Sequence, residues 1–99
     1  MKLVFFIQKY PNSIAYYNRG VAKCLLKDYL GALPDFNKAI ELNGKYFEAY
    51  GNRGTIKFML KDYEAALSDY NKVIELNPQD TVIIKNRQIV KSFLENLKK

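Results

Sequence analysis

Hydrophobic residues recur every three or four positions along most of the chain, and short polar breaks separate these stretches. Such spacing places apolar side chains along one face of an α-helix. The breaks fall near positions 28, 44, 62 and 78, where Asp, Gly or Pro interrupts the pattern. The pattern predicts five helices, at residues 13–26, 29–42, 46–60, 63–76 and 80–97.

A repeat of 34 residues organises the chain. Residues 16–43 align with residues 50–77 without a gap and are identical at 18 of 28 positions. Tyr-x-Asn-Arg-Gly opens each copy, and Asn-Arg returns at residues 86 and 87. Self-similarity at this period is typical of units of two helices. Each helical pair leaves an apolar face that the next pair covers by stacking, so an all-α fold is predicted.

Polar residues mark where the second helix of each unit begins and ends. Asp28 and Asp62 stand just before apolar-periodic stretches, where a short acceptor side chain can cap free backbone N–H groups. Asn43 and Asn77 follow the same stretches, and a Gly or a Pro comes next. Because Asn tolerates the left-handed conformation, we expect both Asn residues to end their helices in that conformation.

Small residues indicate how the two helices of a unit lie together. Gly20 and Gly54 on the first helices, with Ala32 and Ala66 on the second, leave room for two backbones to approach closely. Large aromatic residues are expected to fill the space above and below this contact: Tyr16, Phe36, Tyr50 and Tyr70.

The repeated unit resembles the tetratricopeptide repeat. That family has a large residue, a small one four positions later, an Ala twelve further on, an aromatic four after that, then a small residue and a Pro. The corresponding residues are Tyr16, Gly20, Ala32, Phe36, Ala39 and Gly44, and then Tyr50, Gly54, Ala66, Tyr70, Val73 and Pro78. The resemblance covers residues 13–99 and implies a right-handed α-solenoid of antiparallel helix pairs.

The resemblance also implies a division of the chain. Residues 13–46 and 47–80 would be two full repeats, and residues 81–99 would form a C-terminal capping helix. Residues 1–12 contain five consecutive apolar residues that we expect to be buried. They would form an N-terminal half-repeat that folds back, or a segment whose partner comes from another chain or from upstream sequence.

Arg19, Arg53 and Arg87 depart from the family pattern, which usually has Leu there, and a Lys follows each of them four residues later. Their methylene stems could cover the core of the helical pair while their charged heads reach solvent. Alternatively, Asp35 and Asp69 recur with the same period, so each Arg could pair with an Asp on an adjoining helix. The sequence leaves both interpretations open.

Composition indicates one folded domain, since 48% of the 99 residues are hydrophobic and 26% are charged. The net charge is +6, but the excess lies at the two ends of the chain. Residues 1–27 hold five bases and no acid, and residues 81–99 hold five bases and one acid, whereas the middle is net acidic. Nucleic acid is therefore an unlikely partner, because a long basic stripe is missing.

Location and chemistry are constrained by what the sequence lacks. No apolar run reaches the length of a membrane span or a secretory signal, and one cysteine cannot form an internal disulfide, so we expect a cytoplasmic protein without a membrane contact. The sequence has no His and no phosphate-binding glycine loop. We therefore predict no catalytic residues, no metal and no cofactor, and we interpret Cys24 as a small apolar filler.

In tetratricopeptide folds the first helices line a concave groove that binds extended or helical peptides. The resemblance therefore implies a protein or peptide ligand rather than an enzyme substrate. The groove positions carried over to this sequence are Ile14, Tyr17, Val21, Cys24, Glu48, Gly51, Asn52, Thr55, Phe58, Val82, Lys85, Asn86, Ile89 and Ser92.

One version of this groove holds the terminal carboxylate of a peptide with two Lys, one Arg and two Asn. Only Asn52 fits that version, since the other matching positions carry Tyr17, Val21, Val82 and Asn86. We therefore expect an apolar segment or helix as the ligand rather than a chaperone C-terminal carboxylate. Two alternatives stay open: a self-associating unit that uses the groove or the N-terminal segment, and a fragment of a longer repeat array.

Overall fold

The computed structural model describes residues 11–99, which form five α-helices joined by short turns. These are α1 (Pro11–Leu25), α2 (Tyr29–Leu42), α3 (Phe47–Met59), α4 (Tyr63–Leu76) and α5 (Thr81–Leu97). Each helix lies within two residues of its predicted bounds, and residues 11–99 contain no strand. The predicted half-repeat falls largely on residues 1–10, outside the described residues.

The helices belong to two compact units, called unit 1 and unit 2 below, whose described parts are residues 11–46 and residues 47–99. In unit 1, α1 packs against α2. In unit 2, α4 packs against both α3 and α5. Each unit therefore contains one helical hairpin, and α5 adds a third helix to the hairpin of unit 2.

Each hairpin has its own apolar core. Ala32, Phe36 and Ala39 of α2 are fully buried in unit 1. The core of unit 2 contains Ala66, Tyr70 and Val73 of α4 together with Ile83 and Val90 of α5. The repeated small and aromatic residues of the second helices are therefore core residues, as the sequence indicates.

Glycines on the first helices allow the helices of each hairpin to approach closely. A Cβ atom on Gly20 would lie 2.8 Å from the buried Phe36 ring. A Cβ atom on Gly54 would lie 3.0 Å from Cβ of Asp69 and 3.0 Å from the Tyr70 ring. Gly51, three residues before Gly54, has more room, because its nearest side-chain atoms would lie at 3.5 and 3.7 Å.

A left-handed lysine connects the two helices of each hairpin, at a position for which the sequence predicts no left-handed residue. Lys27 has φ 63° and Lys61 has φ 66°. The Lys27 N–H donates to the Cys24 carbonyl at 2.9 Å, and the next N–H, of Asp28, donates to the Lys23 carbonyl at 2.8 Å. These two bonds satisfy the Cys24 and Lys23 carbonyls near the end of α1 and hold Lys27 in the left-handed region.

Asn43 and Asn77 do end the second helices, as predicted, but the predicted left-handed conformation is wrong, since their φ values are −143° and −142°. Proline follows Asn77 and disfavours the helical region for the residue before it. Asn43 uses its side chain instead, because its Oδ1 accepts a hydrogen bond from the Lys45 N–H at 3.1 Å. The chain therefore leaves each second helix in an extended conformation.

The predicted caps are confirmed. The Asp28 side chain accepts from the Gly31 N–H at 3.0 Å, and the Asp62 side chain accepts from the Ala65 N–H at 3.4 Å. Asp80 caps α5 in the same way, although the sequence analysis did not identify it. Asp28 and Asp62 also supply the N–H groups that close α1 and α3.

Ion pairs join the two helices of each hairpin, which confirms the pairing interpretation for Arg19 and Arg53. Nε and Nη2 of Arg19 donate to the two Asp35 oxygens at 2.9 and 2.6 Å. The same atoms of Arg53 donate to Asp69 at 2.9 and 2.7 Å. Both aspartates are almost fully buried. Arg87 has no carboxylate partner among residues 11–99 and donates from Nη1 to Asn71 Oδ1 at 3.2 Å.

Lysines and tyrosines complete each ion pair. Lys23 Nζ lies 3.2 Å from Asp35 Oδ2, and the Arg19 guanidinium lies 5.4 Å from the centre of the Tyr16 ring. The Arg19 hydrogen bonds hold the pKa of Asp35 below its usual range, although burial acts in the opposite direction. Asp35 therefore stays ionised at neutral pH.

Replacing either left-handed lysine with glycine should stabilise the protein. Lys27→Gly and Lys61→Gly each remove the steric cost of a Cβ atom at positive φ, worth about 1 kcal/mol. Lys85→Gly is the control, because it lies inside α5 and should lose about 1 kcal/mol. Urea denaturation measures all three changes, and a loss of stability in the two turn variants would contradict the account.

Two glycines three residues apart on α3 should respond in opposite directions to alanine. Gly54→Ala should lose about 1–2 kcal/mol, because the Arg53 ion pair and the Thr55 hydroxyl hold Asp69 and Tyr70 in place against the new methyl group. Gly51→Ala should gain up to about 1 kcal/mol from helix propensity, because its methyl group meets only ordinary contacts. Thermal denaturation distinguishes them, and equal shifts would argue against close approach at Gly54.

Acid should remove the stabilisation that Asp35 supplies. Because the pKa of Asp35 is lower in the folded protein than in the unfolded chain, its contribution is present above about pH 4 and is lost as the pH falls through the folded value. Asp35→Asn should therefore be less stable than wild type at neutral pH, and this difference should shrink at low pH. Denaturant titrations of both proteins across the acid range give the measurement. A difference that stays constant with pH would be inconsistent with the proposed linkage.

Candidate peptide-binding surface

A pocket of about 210 Å³ lies in unit 2, between α3 and α5. Each of the three helices of the unit contributes to it. Its lining comprises Thr55 and Phe58 of α3, Tyr70 of α4, and Asn86, Ile89 and Val90 of α5. This group, called the α3–α5 pocket below, contains no charged residue.

The N-terminal cap and the buried residues of α5 determine which of its side chains reach the pocket. The Asp80 cap fixes its first turn by accepting the Ile83 N–H at 3.1 Å. Ile83 and Val90, seven residues apart, are buried against the rest of unit 2. Asn86 and Ile89 lie between them in sequence and flank this buried line. Ile89 is 47% exposed, so it can contact a ligand.

Hydrogen bonds fix the polar end of the pocket. The Thr55 hydroxyl lies 3.1 Å from the Gly51 carbonyl, to which it can donate. It also lies 2.8 Å from the Tyr70 hydroxyl, and either of these two hydroxyls can be the donor in that contact. Burial raises the pKa of Tyr70, and hydrogen bonds with Thr55 and Asn86 offset part of that effect. The pocket therefore presents neutral polar groups at neutral pH.

Three aromatic rings extend the apolar surface beside the pocket. The ring centre of Phe58 lies 5.5 Å from that of Tyr63 and 5.2 Å from that of Phe93, in an edge-on arrangement with the latter. Tyr63 and Phe93 are 5.4 Å apart. Because Phe93 is 43% exposed, this aromatic cluster gives unit 2 a solvent-facing apolar rim.

The predicted groove residues of unit 2 have different surroundings. Four of them meet in the α3–α5 pocket: Thr55, Phe58, Asn86 and Ile89. Glu48, Val82, Lys85 and Ser92 are exposed, and Asn52 is partly buried. Gly51 is buried beneath Ile83 and Val73, so its position serves helix packing.

The predicted residues of unit 1 share one stripe of α1: Ile14, Tyr17, Val21 and Cys24. Ile14 is 44% exposed and the other three are partly buried. The Tyr17 ring stacks on Tyr46 with centres 4.8 Å apart, and it also contacts Phe36. Burial raises the pKa of the Cys24 thiol, which disfavours the reactive thiolate.

Sequence reasoning missed four residues of this surface. Tyr70 and Val90 are buried and appear in the pocket only because three helices meet there. Tyr63 and Phe93 are part of the surface because their rings contact each other and the ring of Phe58. The spacing of 86, 89 and 93 on one helix could have identified Phe93. The predicted groove residue Ser92 lies one position before Phe93, and its Oγ donates to the Gln88 carbonyl on its own helix at 3.1 Å.

The chemistry available at this surface is apolar contact and neutral hydrogen bonding. Within residues 11–99, no three His, Cys, Asp or Glu side chains are grouped so that they could hold a metal ion. In the same part of the chain, no helix combines the length and apolar character needed to cross a lipid bilayer.

Comparison with known families finds two copies of the tetratricopeptide repeat, at residues 13–46 and 47–80. The chain belongs to the tetratricopeptide repeat family. The matched residues include both hairpins, and domains of this family are protein interaction modules. No curated protein matches the chain.

Solved structures similar to this chain include tetratricopeptide repeat domains of RPAP3. The first such domain of Spaghetti (RPAP3), bound to the HSP90 peptide SRMEEVD, is 33% identical with a TM-score of 0.81, over 85% of this chain and 67% of that one. The first domain of human RPAP3 is 33% identical with a TM-score of 0.79, over 86% and 67%.

A third similar structure is the second domain of human RPAP3 in complex with the HSP70 peptide SGPTIEEVD. It is 29% identical with a TM-score of 0.75, over 81% of this chain and 67% of that one. The predicted all-α helical-repeat fold is confirmed by these likenesses together with the five helices.

Proposed function

We propose that this chain is a non-enzymatic protein interaction module that binds an apolar peptide segment or helix at the α3–α5 pocket. The observation that carries the proposal is that none of the described residues lining the pocket is charged. Phe58, Ile89 and Val90 supply apolar walls, and Thr55, Tyr70 and Asn86 supply neutral polar groups. Such a lining suits one large apolar side chain with a small polar component.

The α3–α5 pocket differs in charge from what the ligands of similar domains require. Two similar domains are described with peptides that end in Glu-Glu-Val-Asp, which are strongly acidic. A cation is the natural partner for a terminal carboxylate. Val82 and Asn86 of α5 stand at positions where a carboxylate-binding groove has charged or amide donors, and neither carries a charge. This difference favours an apolar ligand here.

An interaction role is also favoured over catalysis. The sequence has no His, and burial raises the pKa of its single thiol, so the usual general base and an activated nucleophile are both missing. The solvent-facing rim of Phe93 and Ile89 supports docking instead, because exposed apolar surface next to a pocket is typical of interaction sites.

Peptide display tests the proposal. We expect wild-type protein to enrich internal apolar peptides, and Ile89→Glu to weaken the best of them about tenfold or more by placing a charge in the apolar contact. Leu60→Glu is a matched control, because Leu60 is 48% exposed but lies outside the pocket, and it should bind like wild type. Circular dichroism establishes that both variants are folded.

A second arm uses the peptide SRMEEVD and its C-terminal amide as probes. We expect both forms to bind weakly and equally. Tighter binding of SRMEEVD than of the apolar peptides, abolished by amidation, would overturn the proposal in favour of a carboxylate site. Sedimentation of the free protein over a range of concentrations separates peptide binding from occupation of the pocket by a second copy.

A further inference from the structure

The first helices carry a cationic pair at a fixed register. Arg19 and Lys23 of α1 both bind the buried Asp35 of α2. In unit 2, Arg53 binds the buried Asp69 at 2.7 Å, and Lys57 lies 3.9 Å from it. In each hairpin a first helix therefore recognises one aspartate on a second helix through two cations.

Helix α5 repeats this register without an aspartate. Arg87 and Lys91 stand 34 residues after Arg53 and Lys57. Within residues 11–99 no carboxylate pairs with either side chain, and Arg87 makes one hydrogen bond, from Nη1 to Asn71. Its Nε and Nη2 atoms correspond to the two donors that hold the aspartate in the hairpins. The same Arg–Lys pair is thus present on α5, where Lys91 is exposed and Arg87 is partly exposed.

Charge around this face favours an acidic partner. Residues 81–99 hold five basic residues and only one acid, Glu95. Lys91 is exposed, and Arg87 is only partly buried. Two adjacent cations with donors to spare attract a carboxylate and can bind it through charge-assisted hydrogen bonds.

A steric difference further restricts what can dock. Gly20 and Gly54 admit the aromatic residues that follow the aspartates, Phe36 and Tyr70, at about 3 Å. The corresponding position on α5 is Gln88, which is exposed and has a full side chain. A helix that brings an aspartate to Arg87 therefore needs a small residue, rather than an aromatic one, directly after that aspartate.

We propose that the outer face of α5, formed by Arg87, Gln88 and Lys91, binds an α-helix of another protein that carries an aspartate followed by a small residue. This surface is separate from the α3–α5 pocket, whose α5 residues are Asn86, Ile89 and Val90. The chain would then hold two partners, an apolar segment at the pocket and an acidic helix at the outer face.

A peptide derived from α4 tests this surface. The probe has the sequence of residues 62–77 with Tyr70→Ala, with its ends blocked and its helix stabilised by a lactam on the side away from Asp69. Its matched control carries Asp69→Asn in addition. We expect the Asp probe to bind wild-type protein about tenfold more tightly than the Asn control, measured by fluorescence anisotropy.

Protein variants locate the contact. Arg87→Gln should weaken the Asp probe about tenfold, whereas Lys85→Gln, another exposed cation on the same helix, should change affinity less than about twofold. Gln88→Gly should tighten binding of the unmodified peptide that keeps Tyr70. Arg87→Lys keeps the charge and loses the fork of donors, so it should be intermediate. Backbone amide shifts in a heteronuclear spectrum should centre on residues 87–91 and move with these variants.

Several outcomes would overturn the proposal: no saturable binding of the Asp probe, equal affinity for the Asn control, or unchanged binding by Arg87→Gln. Exchange of the probe with the protein's own α4 would shift residues of α3 instead, and would also count against it. Ile89→Gln, which alters the pocket without placing a negative charge beside Arg87 and Lys91, should leave the Asp probe unaffected. Failure at the pocket can therefore be distinguished from failure at the outer face.

Discussion

Each hairpin depends on one ion pair, in which an arginine of the first helix binds a buried aspartate of the second helix. Asp35 and Asp69 are buried. Burying an ionised carboxylate costs roughly several kcal/mol of desolvation free energy, and only a well-aligned partner offsets that cost. Arg19 and Arg53 supply two donors each at 2.6–2.9 Å. Because both oxygens are bound, a helix displaced by one turn would leave the carboxylate unpaired. The ion pair therefore fixes which residues of the two helices face one another.

Much of this arrangement could be predicted from the sequence, because the helices are determined by neighbouring residues and by the 34-residue repeat. The helices follow from apolar spacing and the Asp caps. The pairing of Arg19 with Asp35 could be stated only as one of two interpretations, since the same side chains could equally have reached solvent. The structure decides between them, because both aspartates are buried in the folded protein and each therefore needs its arginine as a partner.

The conformation at the helix ends could not be predicted from residue preference. Asn favours the left-handed region, yet Lys27 and Lys61 occupy it, because hydrogen-bond closure of the preceding helix decides which residue must turn. The candidate site shows a similar limit. The spacing of residues along the first helices predicts that Thr55 and Ile89 line the site. Tyr70 comes from α4, the second helix of its hairpin, so its presence in the pocket depends on how three helices pack together.

The turn between the helices of each hairpin has a wider consequence. Asp28 closes α1 with its backbone N–H and opens α2 with its carboxylate, and Asp62 does the same for α3 and α4. One residue thus serves two helices, so fraying cannot start at this junction in one helix without loosening the other. An inserted residue would separate the two roles. Insertions and deletions are therefore better tolerated at the ends of α2 and α4 than in the turn within a hairpin. The two helices of each hairpin should accordingly fold and unfold together.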